Sequence, residues 1–232
     1  MEKNIEYKKM ASYYDLLYSK KNYNREVEFI KQFIKNKYAS ILDAGCGTGS
    51  HAKILKENGF EVSGFDLNEE MIEVAKEKCG ENFEVCNILN YNSDKKYDIA
   101  ISFFAVFNHL KSYREFEKAL CNLLEVTSDK GVVIIDLHNP QKNGGKTDTI
   151  ENIQREMKWR VCKLFNIENS KITYIINGER FVTTHKFKIF KIKKLTKLCR
   201  KLNLQFHFYE NYDINSTATN SSKNIQLVVT RM

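Results

Sequence analysis

Asp43, Gly45, Gly47 and Gly49, with a second acid at Asp66, have the residue types and spacing to hold a ligand against bare backbone. They sit in Ile41-Leu42-Asp43-Ala44-Gly45-Cys46-Gly47-Thr48-Gly49, where an apolar run ends in an acid and three glycines alternate with small residues. A helix-compatible segment, residues 50–58, follows at once. This is the strand, tight turn and helix that open a nucleotide-binding βαβ unit. Glycine has no Cβ, so a ligand can lie on the chain and the chain can take positive φ. The loop differs from the dinucleotide pattern G-x-G-x-x-G, whose helix N-terminus faces a pyrophosphate. The third glycine comes one place early, at Gly49, and Ser50 takes the sixth position. Asp43 at the mouth would repel a pyrophosphate and suit a cation. Val62-Ser63-Gly64-Phe65-Asp66 then ends a second short strand in an acid, placed to accept hydrogen bonds from ribose hydroxyls.

A second group stands where the fourth strand ends, in Ser102-Phe103-Phe104-Ala105-Val106-Phe107-Asn108-His109-Leu110. Ligands of doubly wound sheets bind beyond the C-terminal strand ends, so Asn108 and His109 fall at the site. Histidine titrates near neutrality and suits proton transfer. His185 lies in the period-two run from Thr183 to Phe190. His51 and His138 also stand near strand ends and receive no role. Cys46 reads as a small residue of the turn, not as a nucleophile.

The glycine loop and the two acids in register resemble the class I S-adenosylmethionine-dependent methyltransferases, over a span from about Tyr13 to the C-terminus. The cofactor of that family, S-adenosylmethionine, carries an ammonium and a sulfonium, two positive centres that suit Asp43. The resemblance implies that Gly45, Cys46, Gly47 and Gly49 hold the methionine part, Asp66 the ribose, and Leu67 the adenine face. It also implies cofactor contacts from Asn87 and Ile88 after the third strand and from Ser102 at the end of the fourth. Asn87 replaces the family's usual aspartate, and its amide oxygen can accept the same hydrogen bond. Tyr14, in Tyr13-Tyr14-Asp15-Leu16-Leu17-Tyr18, matches a segment that folds over the cofactor as a lid. The fourth-strand segment lacks the Asn-Pro-Pro-Tyr signature of enzymes that methylate the amino groups of bases, which disfavours nucleic acid. It resembles instead the nucleotide-sugar N-methyltransferases, and that likeness makes His109 and His185 the expected catalytic residues, with no metal. The implied activity is methylation of a small, anionic, nucleotide-linked (amino) sugar. Open alternatives are an O-methyltransferase acting on a phosphorylated or phosphoramidate-type surface-glycan precursor, an RNA or protein methyltransferase, and a non-catalytic cofactor-binding module.

The elements that must position these residues follow from the pattern. The 232 residues suffice for one sizeable α/β core. A hydrophobic share of 42% fits a packed globular chain, and no apolar run is long enough to span a bilayer. The first ten residues carry no apolar core of a secretory signal. The six cysteines form no C-x-x-C pair, which reads as reduced thiols in a cytoplasmic protein. The net charge of +8 permits an anionic partner, but the lysines are spread along the chain rather than interleaved with aromatics as single-stranded nucleic acid requires. Strands alternate with helices up to Asp136, so the expected fold is α/β: a doubly wound, mostly parallel seven-stranded Rossmann-like sheet. After Pro140, residues 141–149 read as a polar loop. Three period-two runs follow, with turns at Glu168-Asn169-Ser170 and at Asn177-Gly178, the latter a strong hairpin signal. The expected organisation is a single domain, 1–232. Within it, 1–38 is a helical lid and lead-in, 39–140 the cofactor-binding half, and 155–190 an antiparallel insert over the acceptor pocket. The oligomeric state is not legible.

Overall fold

In the first half of the chain, apolar residues alternate between two cores. A computed structural model describes residues 7–232; the first six residues of the expected lead-in lie outside the described residues. The chain runs α1 (Tyr7–Leu17), α2 (Tyr23–Lys31), β1 (Ser40–Ala44), α3 (Ser50–Glu57), β2 (Glu61–Asp66), α4 (Glu69–Cys79), β3 (Phe83–Val85), β4 (Tyr97–Ser102), α5 (Tyr113–Glu125) and β5 (Thr127–His138). Ile41, Ile99, Ile101 and Ile134 face one apolar cluster, with Ile30, Leu55 and Ala75 from α2, α3 and α4. Leu42, Ala100, Val133 and Ile135 face the other, with Phe116, Leu120 and Leu123 from α5. Strands apolar on both faces need helices on both, and the connections supply them.

The remaining elements are β6 (Gly144–Ile150), β7 (Ile153–Cys162), β8 (Ile167–Ile176), β9 (Glu179–Lys188), α6 (Ile192–Lys201), β10 (Leu204–Glu210) and β11 (Asn224–Arg231). The main sheet has seven strands in the order β10-β11-β5-β4-β1-β2-β3, and β11 alone runs against the other six. The expected Rossmann-like sheet is therefore the one observed. Asn68 caps α4 by accepting from Met71 N–H at 3.0 Å. Ser112 caps α5 by accepting from Glu115 N–H at 3.2 Å, while the Glu115 carboxylate reaches one residue further out, to Lys111 N–H at 2.7 Å.

The insert departs from expectation in three places. It has four strands, in the order β6-β7-β8-β9. The polar stretch 141–149, read as a loop, holds most of β6, an edge strand paired to β7 from Gly144–Trp159 to Ile150–Ile153. Glycine there is a packing device: a Cβ on Gly144 would stand 2.4 Å from the Trp159 ring, so the indole lies across bare backbone. The expected turn at Glu168-Asn169-Ser170 is strand, paired to both β7 and β9. The chain turns instead before it, between Cys162 and Ile167, where Asn166 takes φ +51 and Leu164 and Phe165 are exposed. Gly131 likewise lies within β5 rather than ending a helix. The Asn177-Gly178 hairpin forms as expected, with φ +52 and +79.

Candidate active site

The glycine loop satisfies its own donors. Gly45 and Cys46 N–H both donate to the Phe65 carbonyl, at 2.7 and 3.0 Å, and Gly49 N–H donates to the Cys46 carbonyl at 3.0 Å. Gly47 N–H donates to Asp66 Oδ2 at 2.9 Å. Gly45 has φ +80, and a Cβ there would lie 2.5 Å from Val106 Cγ2. Gly47, at φ +54, has open space where a Cβ would sit. The acceptors are in the opposite state. Asp43 is buried, and its Oδ2 has no hydrogen-bond partner. Burial pushes its carboxyl up to about 6, with Asp66 adding to the rise and His51 opposing it. Asp66 accepts from Asn68 N–H at 3.0 Å through Oδ1. Burial raises its pKa too, against the pull of the Asn68 and Gly47 amides. Leu67, next to it, is 69% exposed, an apolar side chain offered at the rim.

α1 lies against this loop and against the insert. Asp15 accepts from Thr48 Oγ1 at 2.6 Å and from Ser50 Oγ at 3.2 Å, and pairs with Lys78 Nζ at 2.6 Å. Two residues on, the Leu17 carbonyl accepts from Arg155 at 3.1 Å, while Arg155 makes a bidentate pair with Asp148 at 2.8 and 2.7 Å. Leu17 packs among Ile153, Ile172, Tyr174 and Phe181 on the inner face of the insert. Tyr14 is close enough to Asp66 and Tyr18 that, with burial as the main cause, its phenol is raised well above the ordinary value. Both tyrosines meet Phe104 edge-on, with centroids at 6.4 and 4.9 Å. Phe104 and Ala105 both have φ +61, a left-handed pair where the chain leaves β4.

Where the ends of β4 and β5 meet the insert, three elements bring histidines together. His109 closes the 3-10 turn Val106–His109, His138 ends β5, and His185 lies on β9. The rings of His109 and His185 are 6.1 Å apart, and Phe187 meets His109 at 4.7 Å and stacks with His185 at 5.7 Å. Burial lowers the pKa of His109, and His185 lowers it further. Burial also lowers that of His185, against Glu168. Both are therefore neutral imidazoles at pH 7. Glu168 is buried on β8, with Oε2 3.1 Å from His138 Nε2.

A loop whose Gly45, Cys46, Gly47 and Gly49 amides are all spent has no donor among them for a pyrophosphate. An orphaned buried carboxylate and a surface open at Gly47 fit a ligand that brings a cation. A family model described as a methyltransferase domain matches residues 41–131. An uncharacterized protein of Methanocaldococcus jannaschii is 33% identical over 189 residues, 80% of this chain and 70% of that one. The dTDP-3-amino-3,4,6-trideoxy-alpha-D-glucopyranose N,N-dimethyltransferase of Streptomyces venezuelae is 25% identical over 54% of this chain and 56% of its own. The crystal structure of an S-adenosylmethionine-dependent methyltransferase from Clostridium acetobutylicum shares the fold, with a TM-score of 0.82 over 97% of this chain and 98% of that one, at 20% identity. The chain belongs to the class I S-adenosylmethionine-dependent methyltransferases. On the family resemblance, Asp43 would hold the ammonium of the cofactor, Gly47 would allow close approach, Asp66 would take the ribose and Leu67 would lie on the adenine face.

Other expected contacts lie elsewhere. Ser102 is fully buried and donates to the Ala44 carbonyl at 2.8 Å, tying β4 to β1. Ile88 packs in the core beside Phe65 and Tyr91. The Cys46 thiol is buried, and burial pushes its pKa well up, so only its backbone lies in the loop. Asn87 spends one lone pair of its amide oxygen on Leu89 N–H at 2.9 Å. Asn108, expected beside the transferred methyl, is fully buried and works as a clamp. It donates to the His138 carbonyl at 2.9 Å and the Lys188 carbonyl at 2.7 Å, and accepts from His138 N–H at 2.9 Å. It thereby joins the exit of β4, the end of β5 and the end of β9 into one frame, which fixes His109 relative to the insert. His51 is structural, bonded to buried Glu26 at 2.6 Å. Burial alone would raise Glu26, but His51 and Lys21 hold it below the ordinary value.

Sequence reading missed Glu168 and gave His138 no role. Strand parity was the available signal for Glu168: it shares its face with Ile172, Tyr174 and Ile176, all buried. Among the described residues no helix is long and apolar enough to cross a membrane.

Proposed function

We propose that this methyltransferase acts on a small acceptor, a nucleotide-linked amino sugar, bound between the inner face of the insert and the ends of β4 and β5. The observation that carries the reading is the cleft wall, in which His109 from the main sheet and His185 from the insert face each other at 6.1 Å beside Phe187. The sugar N,N-dimethyltransferase similarity supports the acceptor class, and the net charge of +8 suits the anionic nucleotide part. The six free cysteines support a reducing, cytoplasmic setting.

When bound, S-adenosylmethionine supplies a methyl group activated by its sulfonium and leaves as a neutral thioether. The chain's part is alignment and exclusion of water. Holding the acceptor in line is worth effective molarities of roughly 10⁵–10⁸ M. Tyr14, Tyr18 and Phe104 build an aromatic wall between the glycine loop and the cleft. Neutral His109 and His185 accept a proton from the acceptor, or hydrogen-bond it into place. An amine needs little more than placement, because its proton can leave afterwards.

Neutral imidazoles equally suit a hydroxyl acceptor, which gains typically about 10²–10⁴-fold from a base. The second reading is therefore O-methylation of a related glycan precursor. One experiment separates these readings. Purified protein, S-adenosylmethionine and a panel of nucleotide sugars with and without free amines are analysed by mass spectrometry, with Asp66→Ala as control. Methyl gain on amino sugars only, absent in the control, supports the first reading. Gain only on hydroxylated or phosphorylated compounds supports the second. No gain on any compound, with cofactor binding intact, overturns both and leaves RNA, protein or a non-catalytic role.

A further inference from the structure

Glu168 is a buried carboxylate whose Oε2 lies beside His138 Nε2 yet takes no hydrogen bond. It stands on the inner face of β8 directly opposite Val161 and Phe187, and is only 3% exposed. Its Oε2 is buried without a hydrogen bond, since His138 Nε2, at 3.1 Å, lies outside hydrogen-bond alignment. Burying a carboxylate is expensive unless it is paired and hydrogen-bonded, and Arg155, the buried arginine of the same inner face, is engaged by Asp148. The surroundings are three flat rings. Phe187 stacks with His185 at an interplanar angle of 13° and meets His109 edge-on at 67°. An acid beside stacked aromatic rings is the chemistry that recognises a small cation. A metal is the wrong occupant, because no three His, Cys, Asp or Glu among the described residues stand close enough to hold one.

We propose that Glu168 is the acceptor-selecting residue, its carboxylate taking the amino group of the acceptor while the rings of His109, His185 and Phe187 enclose it. This rests on the reading of the cleft as the acceptor pocket. An amine held here has its remaining substituents fixed by the rings, and the positive charge that the nitrogen gains during methylation faces a carboxylate. A sugar hydroxyl at the same place gains much less, so selection for amine over hydroxyl originates at Glu168.

The test measures binding separately from turnover. Imidazole NMR signals of the enzyme loaded with S-adenosylhomocysteine are followed during titration with glucosamine and, in parallel, with glucose. The wild type should show saturable shifts of His109 and His185 with glucosamine at concentrations at least tenfold below those for glucose. Glu168→Gln, which keeps the shape and loses the charge, should remove that difference and leave cofactor affinity unchanged. Equal titration by the two sugars, no shift with either, or a preference that survives Glu168→Gln would each overturn the proposal. A preference that is present and lost as expected, with no methylation of dTDP-3-amino-3,6-dideoxy-α-D-glucopyranose, would count against that sugar as substrate and leave the role of Glu168 standing.

Discussion

Around Gly45–Gly49 the work is done by backbone: four amides are spent on the Phe65 and Cys46 carbonyls and on Asp66, and the unsatisfied group is a single buried oxygen of Asp43. In the proposed acceptor region the groups are side chains from the turn after β4 and from β5, β8 and β9, and the oxygen without a hydrogen bond is Oε2 of Glu168. The first region is local in sequence, built by one βα turn and the end of β2. The second is assembled from segments far apart in sequence and held in register by Asn108. The contrast teaches that cofactor and acceptor recognition are separable here, and that substitutions in each region should fail differently.

The largest effect should come from Asp66→Ala, which removes the proposed ribose acceptor and the anchor of Gly47 N–H. Hydrogen bonds to a charged group are worth about 1.5–3 kcal/mol each, so cofactor affinity by calorimetry should fall at least ~100-fold. His109→Ala should leave that affinity untouched and lower kcat by about 10²-fold for a hydroxyl acceptor, whereas for an amine the loss should be small and mostly in KM. Because burial holds His109 and His185 below the ordinary 6.5, the acid limb of kcat/KM should inflect below that pH; an inflection above it would break the assignment.

Asp43→Asn should cut cofactor affinity about 10- to 100-fold and stabilise the free protein. A carboxyl raised from 3.8 to about 6 carries a penalty of about 3 kcal/mol on its ionised form. The folded pKa lies above the unfolded one, so the penalty is absent below about 4 and complete above about 6. The free variant should therefore melt roughly 5 °C higher at pH 7.5, and the gap should close as pH falls towards 4. A free variant that melts lower would show that Asp43 already has a partner. Asn108→Ala should give the smallest binding effect and a structural one: roughly 3 kcal/mol lost from three buried hydrogen bonds, seen in urea unfolding, with faster amide exchange at the end of β9 and unchanged cofactor affinity.

The same contrast explains what was legible. The loop 41–49, Asp66 and the βα alternation were readable because glycine conformations and strand periods are local demands. The insert was half readable. Asn177-Gly178 announced its hairpin, but β6 is polar because it is an edge, and Gly144 looked like a turn because its reason is the Trp159 ring across the strand. Glu168-Asn169-Ser170 has turn composition and strand geometry, since β7 and β9 pair on both sides of it. Ser102, Ile88 and Asn108 were placed at the site by sequence position, yet their side chains turn inward, an orientation that depends on which neighbour leaves a gap. His138 was visible as a histidine just past a strand end, but its pairing with Glu168, a residue of another sheet, was not.

α1 behaves mechanically as a tie-rod. Asp15 fastens it to Thr48, Ser50 and Lys78 of the main body, and the Leu17 carbonyl, two residues on, fastens it to Arg155 of the insert. Separating the two sheets must first load this short span, so the force needed to spread the cleft is set by a handful of polar joints rather than by the apolar cores behind them. The Asp15–Lys78 joint is partly exposed to solvent and thus open to screening, which makes ionic strength a control on how readily the cleft spreads, while the folded stability of either sheet stays nearly constant.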